Sequence, residues 1–368
     1  MSSPDVISLA RGAPSLDIVP VDELREAADR AFRSHPEHCF SYGPAAGHPL
    51  LVEWIAKRHG VEQDQVMATN GSMQADAFFF QEFVGAGDLV VVEAPTYDRT
   101  LLMLRELGAE LLAIPLEADG LDVEALARAL QAGARPRFVH VIPNFQNPAG
   151  CTLSLEKRRQ LLELARRYDF LIFEDDPYVD VRFEGESLPR IFDLDGRREN
   201  VVYVSSFTKT VCPGVRVGYL LGPPEIVARL RRRATNTYIS PCVASQGIVA
   251  EFCRGGGFER SLERVRTALR ERRDAICEAV AEHLPEARFV KPEGGYFLWI
   301  DLPDGDVREL EARARERGVV VVKGTDFFIE GGEQSLRLAY SAVAPAQLRE
   351  GVARLASARR ELVGTAQP

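Results

Sequence analysis

Through the first 240 or so positions, short apolar runs rich in β-branched and aromatic residues alternate with segments of helical periodicity. The runs 89–92, 138–142, 170–173 and 201–204 are strand-like, and the amphipathic stretches 100–107, 123–130 and 155–167 lie between them. Residues 22–33 and 50–58 read as two earlier helices. Continuous apolar strands separated by helices predict an α/β fold, with a mostly parallel central sheet sandwiched by helices. Past about residue 240 the pattern changes. A long, Arg- and Glu-rich helix over 258–283 leads to strands at 296–300 and 335–340 and helices at 307–317 and 345–358, a smaller α+β domain. The expected division is a large domain over 43–274, with 1–42 and 275–368 forming an N-terminal segment and the small domain. The two ends, 1–5 and 363–368, are expected to be loosely held.

Composition excludes several classes. With 368 residues the chain can bury a large core, and a formal net charge of -9 without a basic stripe disfavours nucleic-acid binding. Six cysteines, Cys39, Cys151, Cys212, Cys242, Cys253 and Cys277, stand singly with no C-x-x-C pair, which argues against a disulfide scaffold and against a metal site. No basic-then-apolar leader opens the sequence and no apolar run approaches the ~18 residues of a membrane span. A soluble cytoplasmic protein that touches neither membrane nor nucleic acid is expected.

Open α/β sheets bind ligands beyond the carboxyl ends of their strands, so the residues that follow each run deserve inspection. No G-x-G-x-x-G opens a helix there, and Gly255-Gly256-Gly257 reads as a turn between helices. After the 66–69 run comes Asn70-Gly71-Ser72-Met73-Gln74, a turn opening a helix, whose free N–H groups suit a phosphate as well as they suit a plain cap. Pro143-Asn144-Phe145-Gln146-Asn147-Pro148-Ala149-Gly150 follows the next run but one. Glu174-Asp175-Asp176-Pro177-Tyr178 would, alone, read as a solvated turn. Lys209 follows Ser205-Ser206-Phe207-Thr208, with Arg216 seven positions on beyond a Pro-Gly turn. A lysine amid hydroxyls and near an arginine suits an anion site beside a reactive amine.

Pyridoxal phosphate (PLP) chemistry unites these pieces. The cofactor needs a lysine for its aldehyde, an acid for its pyridine nitrogen, donors for its phosphate and an arginine for the substrate carboxylate. The ordered set N-G-S-M-Q, P-N-F-Q-N-P-A-G, E-D-D-P-Y, S-S-F-T-K and P-G-V-R-V-G resembles the class I/II, fold type I PLP-dependent aminotransferases, in the branch of the 2-aminoadipate and kynurenine enzymes. The resemblance runs from Ser8 to the last helix. It implies that Lys209 holds the cofactor as a Schiff base and moves the α-proton, and that Asp175 pairs with the pyridinium nitrogen. Asn147 and Tyr178 would bond the ring hydroxyl, and Tyr97 would stack on the ring. Ser72, the N–H of Met73, Ser206, Thr208 and Arg216 would hold the phosphate. Arg337 would bind the α-carboxylate, with Asn147 and Gly12 beside the substrate and the N-terminal segment closing over the cleft. Tyr42 would reach the phosphate of a neighbouring subunit, so a homodimer with shared active sites is implied.

The reaction so implied moves an amino group between an L-amino acid and a 2-oxo acid by a ping-pong cycle. Another PLP reaction on an amino acid (elimination, decarboxylation, cyclisation or oxidation) would use the same residues. Similar domains also serve as effector sensors behind a winged helix; with the aminotransferase-like region beginning near residue 8, that role is not expected here. Arg11 and Lys323 depart from the commoner family residues and are expected to be solvated.

Overall fold

The computed structural model describes residues 6–365. Its central sheet runs in the order Val66–Thr69, Gly218–Leu221, Val201–Ser206, Leu171–Asp175, Phe138–Val141, Leu89–Ala94, Glu110–Glu117, Gly120–Leu121. The pairings among the strands at 89–94, 110–117, 138–141, 171–175 and 201–206 are parallel, while 218–221 is antiparallel to both its neighbours. The α/β expectation therefore holds, with an antiparallel strand at 218–221 that the sequence did not announce.

Strand period explains why these runs are continuously apolar. Val91, Val139, Ile172, Val201 and Tyr203 point to one hydrophobic cluster, and Val90, Phe138, Phe173, Val202 and Val204 point to another on the opposite face. Helices cover both. The second face carries the helix Ser72–Phe83, whose Phe79 and Phe80 stack on Phe138 and Phe173, with ring centroids 4.6–5.4 Å apart. Local signals set the helix ends. The Asp122 carboxylate accepts the Ala125 N–H at 2.7 Å to start Val123–Gln131, and Asp169 at φ 56° turns the chain out of Leu155–Tyr168.

A three-stranded antiparallel sheet, Phe297–Asp301, Ser335–Ala339 and Val322–Lys323, builds a further core with the helices Val307–Glu316 and Pro345–Thr365. Residues Ile7–Ser8 pair in parallel with Val319–Val320, so the N-terminal segment is anchored to this smaller body. The helix Gly257–His283 serves both bodies: Phe258 and Leu262 lie in one sheet-facing cluster, and Val265, Leu269 and Ile276 in the core of the smaller body. Of the two chain ends, residues 363–365 continue the last helix, and 1–5 and 366–368 lie outside the described residues. Among the described residues no helix is long and apolar enough to cross a membrane.

Candidate active site

A cavity of about 350 Å³ opens at the carboxyl ends of the parallel strands. The turn after Val66–Thr69 gives it Ser72 and Met73, the loop after Leu89–Ala94 gives Tyr97, and the loop after Phe138–Val141 gives Asn147. Strand Leu171–Asp175 ends in it at Asp175, followed by Tyr178, and Ser206, Thr208 and Lys209 come from the end of Val201–Ser206. Arg216 enters from the neighbouring turn, Gly12 from the N-terminal segment, and Arg337 from the smaller body. All the residues expected from the sequence meet here except Tyr42, which is 84% exposed and does not line the cavity of its own chain.

One corner is built for an anion. Ser72 opens a helix of 12 residues whose first N–H groups have no helical acceptor, and the helix dipole is positive at that end. Gly71 sits at φ +84°, and a Cβ there would lie 2.6 Å from Arg216 Nη2; one on Gly218 would lie 2.4 Å from the Ser72 nitrogen. Both glycines thus let the Arg216 guanidinium and the helix start close on one spot. The Ser206 hydroxyl donates to Thr208 Oγ1 at 2.8 Å and accepts the Thr208 N–H at 3.1 Å, so two hydroxyls stand together on the opposite side.

The amine lies beside this corner. Lys209 Nζ donates to the Gly12 carbonyl at 2.5 Å and stands 5.4 Å and 5.2 Å from the ring centres of Tyr178 and Tyr296. Burial, with the positive charge of Arg337 added, lowers its pKa to about 8 against the opposing pull of Asp175. A neutral, nucleophilic amine is accessible near physiological pH as a result.

Asp175 is buried, and its Oδ1 has no hydrogen-bond partner among the described residues. Burial raises its pKa to about 7, with Lys209 pulling it back. His140 Nε2 stands 4.0 Å from Asp175 Oδ2 and 3.4 Å from Thr100 Oγ1, and burial lowers its pKa to about 3, so it is neutral. An orphaned carboxylate inside a cavity calls for a cationic N–H donor, which a pyridinium ring supplies. The flanking acids do not line the cavity: Glu174 accepts the N–H groups of Ile191 and Phe192 at 2.8 Å each, and Asp176 accepts the Asn144 amide at 2.8 Å through Oδ2, its Oδ1 being unpartnered among the described residues.

Arg337, buried on its strand, donates to Asn147 Oδ1 and to the Ala10 carbonyl, each at 2.9 Å. Its guanidinium stacks on Phe297 and Phe327, 4.3 Å and 4.8 Å from the ring centres. The fork is therefore rigid, and its Nε has no partner among the described residues. Arg11 is exposed, as expected of a solvated cation, whereas Lys323 is half-buried and pairs with Asp326 at 2.7 Å.

Several lining residues escape a reading of the sequence. Phe297 comes from a segment that reads only as strand, and Asp98 precedes the expected helix 100–107, which in the structure starts at Asp98. Asp76 was legible in principle: it stands four positions after Ser72, on the same helical face, as a lone acid beside the apolar run Ala77–Phe80.

The residues present fit PLP: an amine, an orphaned acid and an anion corner share one cavity. The protein-family model for aminotransferase class I and II matches residues 4–355. An aromatic-amino-acid aminotransferase of Thermococcus litoralis is 35% identical over 97% of this chain and 88% of its own length. The 2-aminoadipate transaminase of Thermus thermophilus is 35% identical over 98% and 91% respectively. The crystal structure of the alpha-aminoadipate aminotransferase of Thermus thermophilus, complexed with N-(5'-phosphopyridoxyl)-L-leucine, superposes with a TM-score of 0.94 at 34% identity, covering 98% of this chain and 94% of that one. Fold, cavity and relatives agree: the chain belongs to the class I and II aminotransferases, as a PLP-dependent enzyme that transfers amino groups between amino acids and 2-oxo acids.

Proposed function

We propose that Lys209 is the group that takes and returns the substrate α-proton, and that Arg337 fixes the substrate by its α-carboxylate. The observation that carries this reading is that the Lys209 amine, the Asp175 carboxylate and the Arg337 guanidinium open on one cavity of about 350 Å³. When bound, PLP supplies an aldehyde for the amino group and a ring that accepts electrons. The protein's part is placement. Ser72, the Met73 N–H, Ser206, Thr208 and Arg216 would hold the phosphate; Asp175 would pair with the pyridine nitrogen, and Asn147 and Tyr178 with the ring hydroxyl. Tyr97, whose hydroxyl lies 3.7 Å from the Met73 sulfur, would stack on the ring. Arg337 binds a carboxylate in two parallel hydrogen bonds, which orients the α-carbon toward the Lys209 side. Lys209, with its pKa lowered to about 8, is a base strong enough to take that proton and weak enough to give it back. Gly12 and the segment around it limit water at the amine.

Tyr42 stands exposed outside its own cavity. That placement supports a homodimer in which it reaches the partner subunit's phosphate site, at the position the family resemblance implies.

A single-turnover experiment tests the reaction. Amino acid alone, added to the cofactor-loaded enzyme, should give one equivalent of its 2-oxo acid per site, without ammonia or carbon dioxide. Lys209→Ala should reduce turnover to below ~1% of native, the scale of losing a positioned general base; a variant that turns over at the native rate would falsify the assignment.

A further inference from the structure

We propose that Asp76 is the second half of a carboxyl pair with Asp175, sharing with it the task of facing the cofactor's pyridine nitrogen. The proposal rests on the reading of Asp175 as the acid beside that nitrogen.

The geometry follows from how one helix lies on one sheet face. Phe79 and Phe80 of the helix Ser72–Phe83 pack on Phe138 and Phe173 of two adjacent parallel strands. The helix starts, and the strands end, at the same edge of the sheet, where the cavity opens. From Phe80 back to Asp76 is four helical residues, a rise of about 6 Å. From Phe173 on to Asp175, and from Phe138 on to His140, is two strand residues, about 6.6 Å. The Asp76 side chain therefore comes level with Asp175 and His140, and Phe80 still touches the His140 ring, with centroids 6.1 Å apart.

Asp76 and Asp175 both line the cavity, both are at least 95% buried (2% and 5% exposed), and each has an Oδ1 without a hydrogen-bond partner among the described residues. A helix interior has no structural need of a buried acid with an unpartnered oxygen, and such a group destabilises the fold unless something uses it. Burial holds the Asp76 carboxyl well above the ordinary carboxylate range, and the charge of Asp175 pushes it further the same way. Two buried carboxyl groups that face one cavity and feel each other's charge do not both ionise readily; one keeps a proton and the two titrate together.

Other charged groups around this helix are engaged elsewhere. His140 is neutral, Tyr97, whose hydroxyl lies 3.7 Å from the Met73 sulfur on the same helix, is neutral too with its pKa pushed up to about 12, and Lys209 lines the same cavity. Asp98 and Arg99 pair with each other at 3.5 Å, and Arg105 is exposed at the far end of its helix. Arg229 and Arg233 grip Glu82 at the other end of the Ser72–Phe83 helix, and Tyr238 packs on Phe78. Tyr203 and Tyr219 point to the opposite sheet face, against His59. Asp175 is thus the acid whose charge bears on Asp76.

The test is a double-mutant cycle read by PLP binding to the cofactor-free protein, with the protonation of ¹⁵N-labelled PLP followed by NMR. If the two acids share the role, Asp76→Asn costs at least threefold more PLP affinity in the Asp175→Asn background than in the native one. In the native background Asp76→Asn also makes the bound pyridine nitrogen lose its proton at lower pH. Asp76→Leu, which removes the carboxyl with a side chain of similar size, should behave like Asp76→Asn. An equal or smaller cost of Asp76→Asn in the Asp175→Asn background, or an unmoved ¹⁵N titration, overturns the pairing. If Asp175→Asn alone leaves both PLP affinity and the ¹⁵N signal unchanged, the reading of Asp175 itself fails, and Asp76 loses its basis with it.

Discussion

At the scale of single residues, environment decides which of several like groups does chemistry. Glu174, Asp175 and Asp176 stand in a row, and the sequence alone reads them as a solvated turn. All three are buried, and strand alternation sends Glu174 toward Ile191 and Phe192 and Asp175 into the cavity. Lys209 likewise differs from a surface lysine by burial. The cofactor-free protein should capture PLP at a rate that rises with pH and levels off above about 8, where an ordinary lysine would keep rising toward 10.5; stopped-flow absorbance across pH 6–10.5 reads this. Arg337→Lys keeps the charge but loses the planar fork held by Asn147 and Ala10. Its KM for the amino donor should rise about 10- to 100-fold, matching the ~1.5–3 kcal/mol of charge-assisted hydrogen bonds. A KM within twofold of native would place the carboxylate elsewhere.

Elements carry these residues to their places, and here the loop after Phe138–Val141 is instructive. The Gln146 amide donates to Glu93 Oε2 at 2.8 Å and to the Pro95 carbonyl at 2.9 Å, and the Ile142 N–H donates to Glu93 at 3.2 Å. Glu93 thereby fixes the loop that presents Asn147. Burial raises its pKa to about 8 from 4.5, against the pull of those donors. An acid whose pKa is raised on folding contributes its stability in full below 4.5 and loses it as pH climbs through about 8. Glu93→Gln cannot ionise and keeps an acceptor for Gln146. The melting temperature of the cofactor-free variant should therefore fall less between pH 5 and 8.5 than that of the native protein, by the equivalent of about 1–3 kcal/mol; parallel decline in the two proteins would remove Glu93 from this role.

The elements most legible in the sequence were those whose period was strong. The helix Leu155–Tyr168 and the strand Val201–Ser206 were expected within two residues of their ends. The strand Gly218–Leu221 was hidden because its four residues follow an arginine-bearing turn that drew attention as an anion site, and pairing direction has no local signature. Strand Glu110–Glu117 was missed because Pro115 interrupts it. The helices Pro224–Tyr238 and Val243–Arg254 lie beyond the last strand-like run of the large sheet, where strand–helix alternation no longer marks helix bounds. For the site, the motifs mark most of the cavity lining; Asp76 is marked only by its spacing from Ser72, and Phe297, one apolar residue of a strand, carries no local signal at all.

For the whole molecule, the proposed reach of the exposed Tyr42 to a partner subunit would make oligomeric state part of the site. Light scattering should give twice the mass of one chain, and Tyr42→Phe should weaken PLP binding severalfold without altering that mass. A monomer with full PLP affinity would refute sharing. The helix Gly257–His283 has a mechanical meaning as well. At 27 residues it is about 40 Å long, and it is rooted at one end in the core beneath Lys209 and along the rest in the core that carries Arg337. A beam clamped at both ends resists hinging, so the span between Lys209 and Arg337 is set by a rigid strut. The N-terminal strap is held differently: its Ala10 and Gly12 carbonyls accept hydrogen bonds from Arg337 and Lys209, so on the proposed roles a substrate carboxylate and the cofactor would compete for the very donors that tether it.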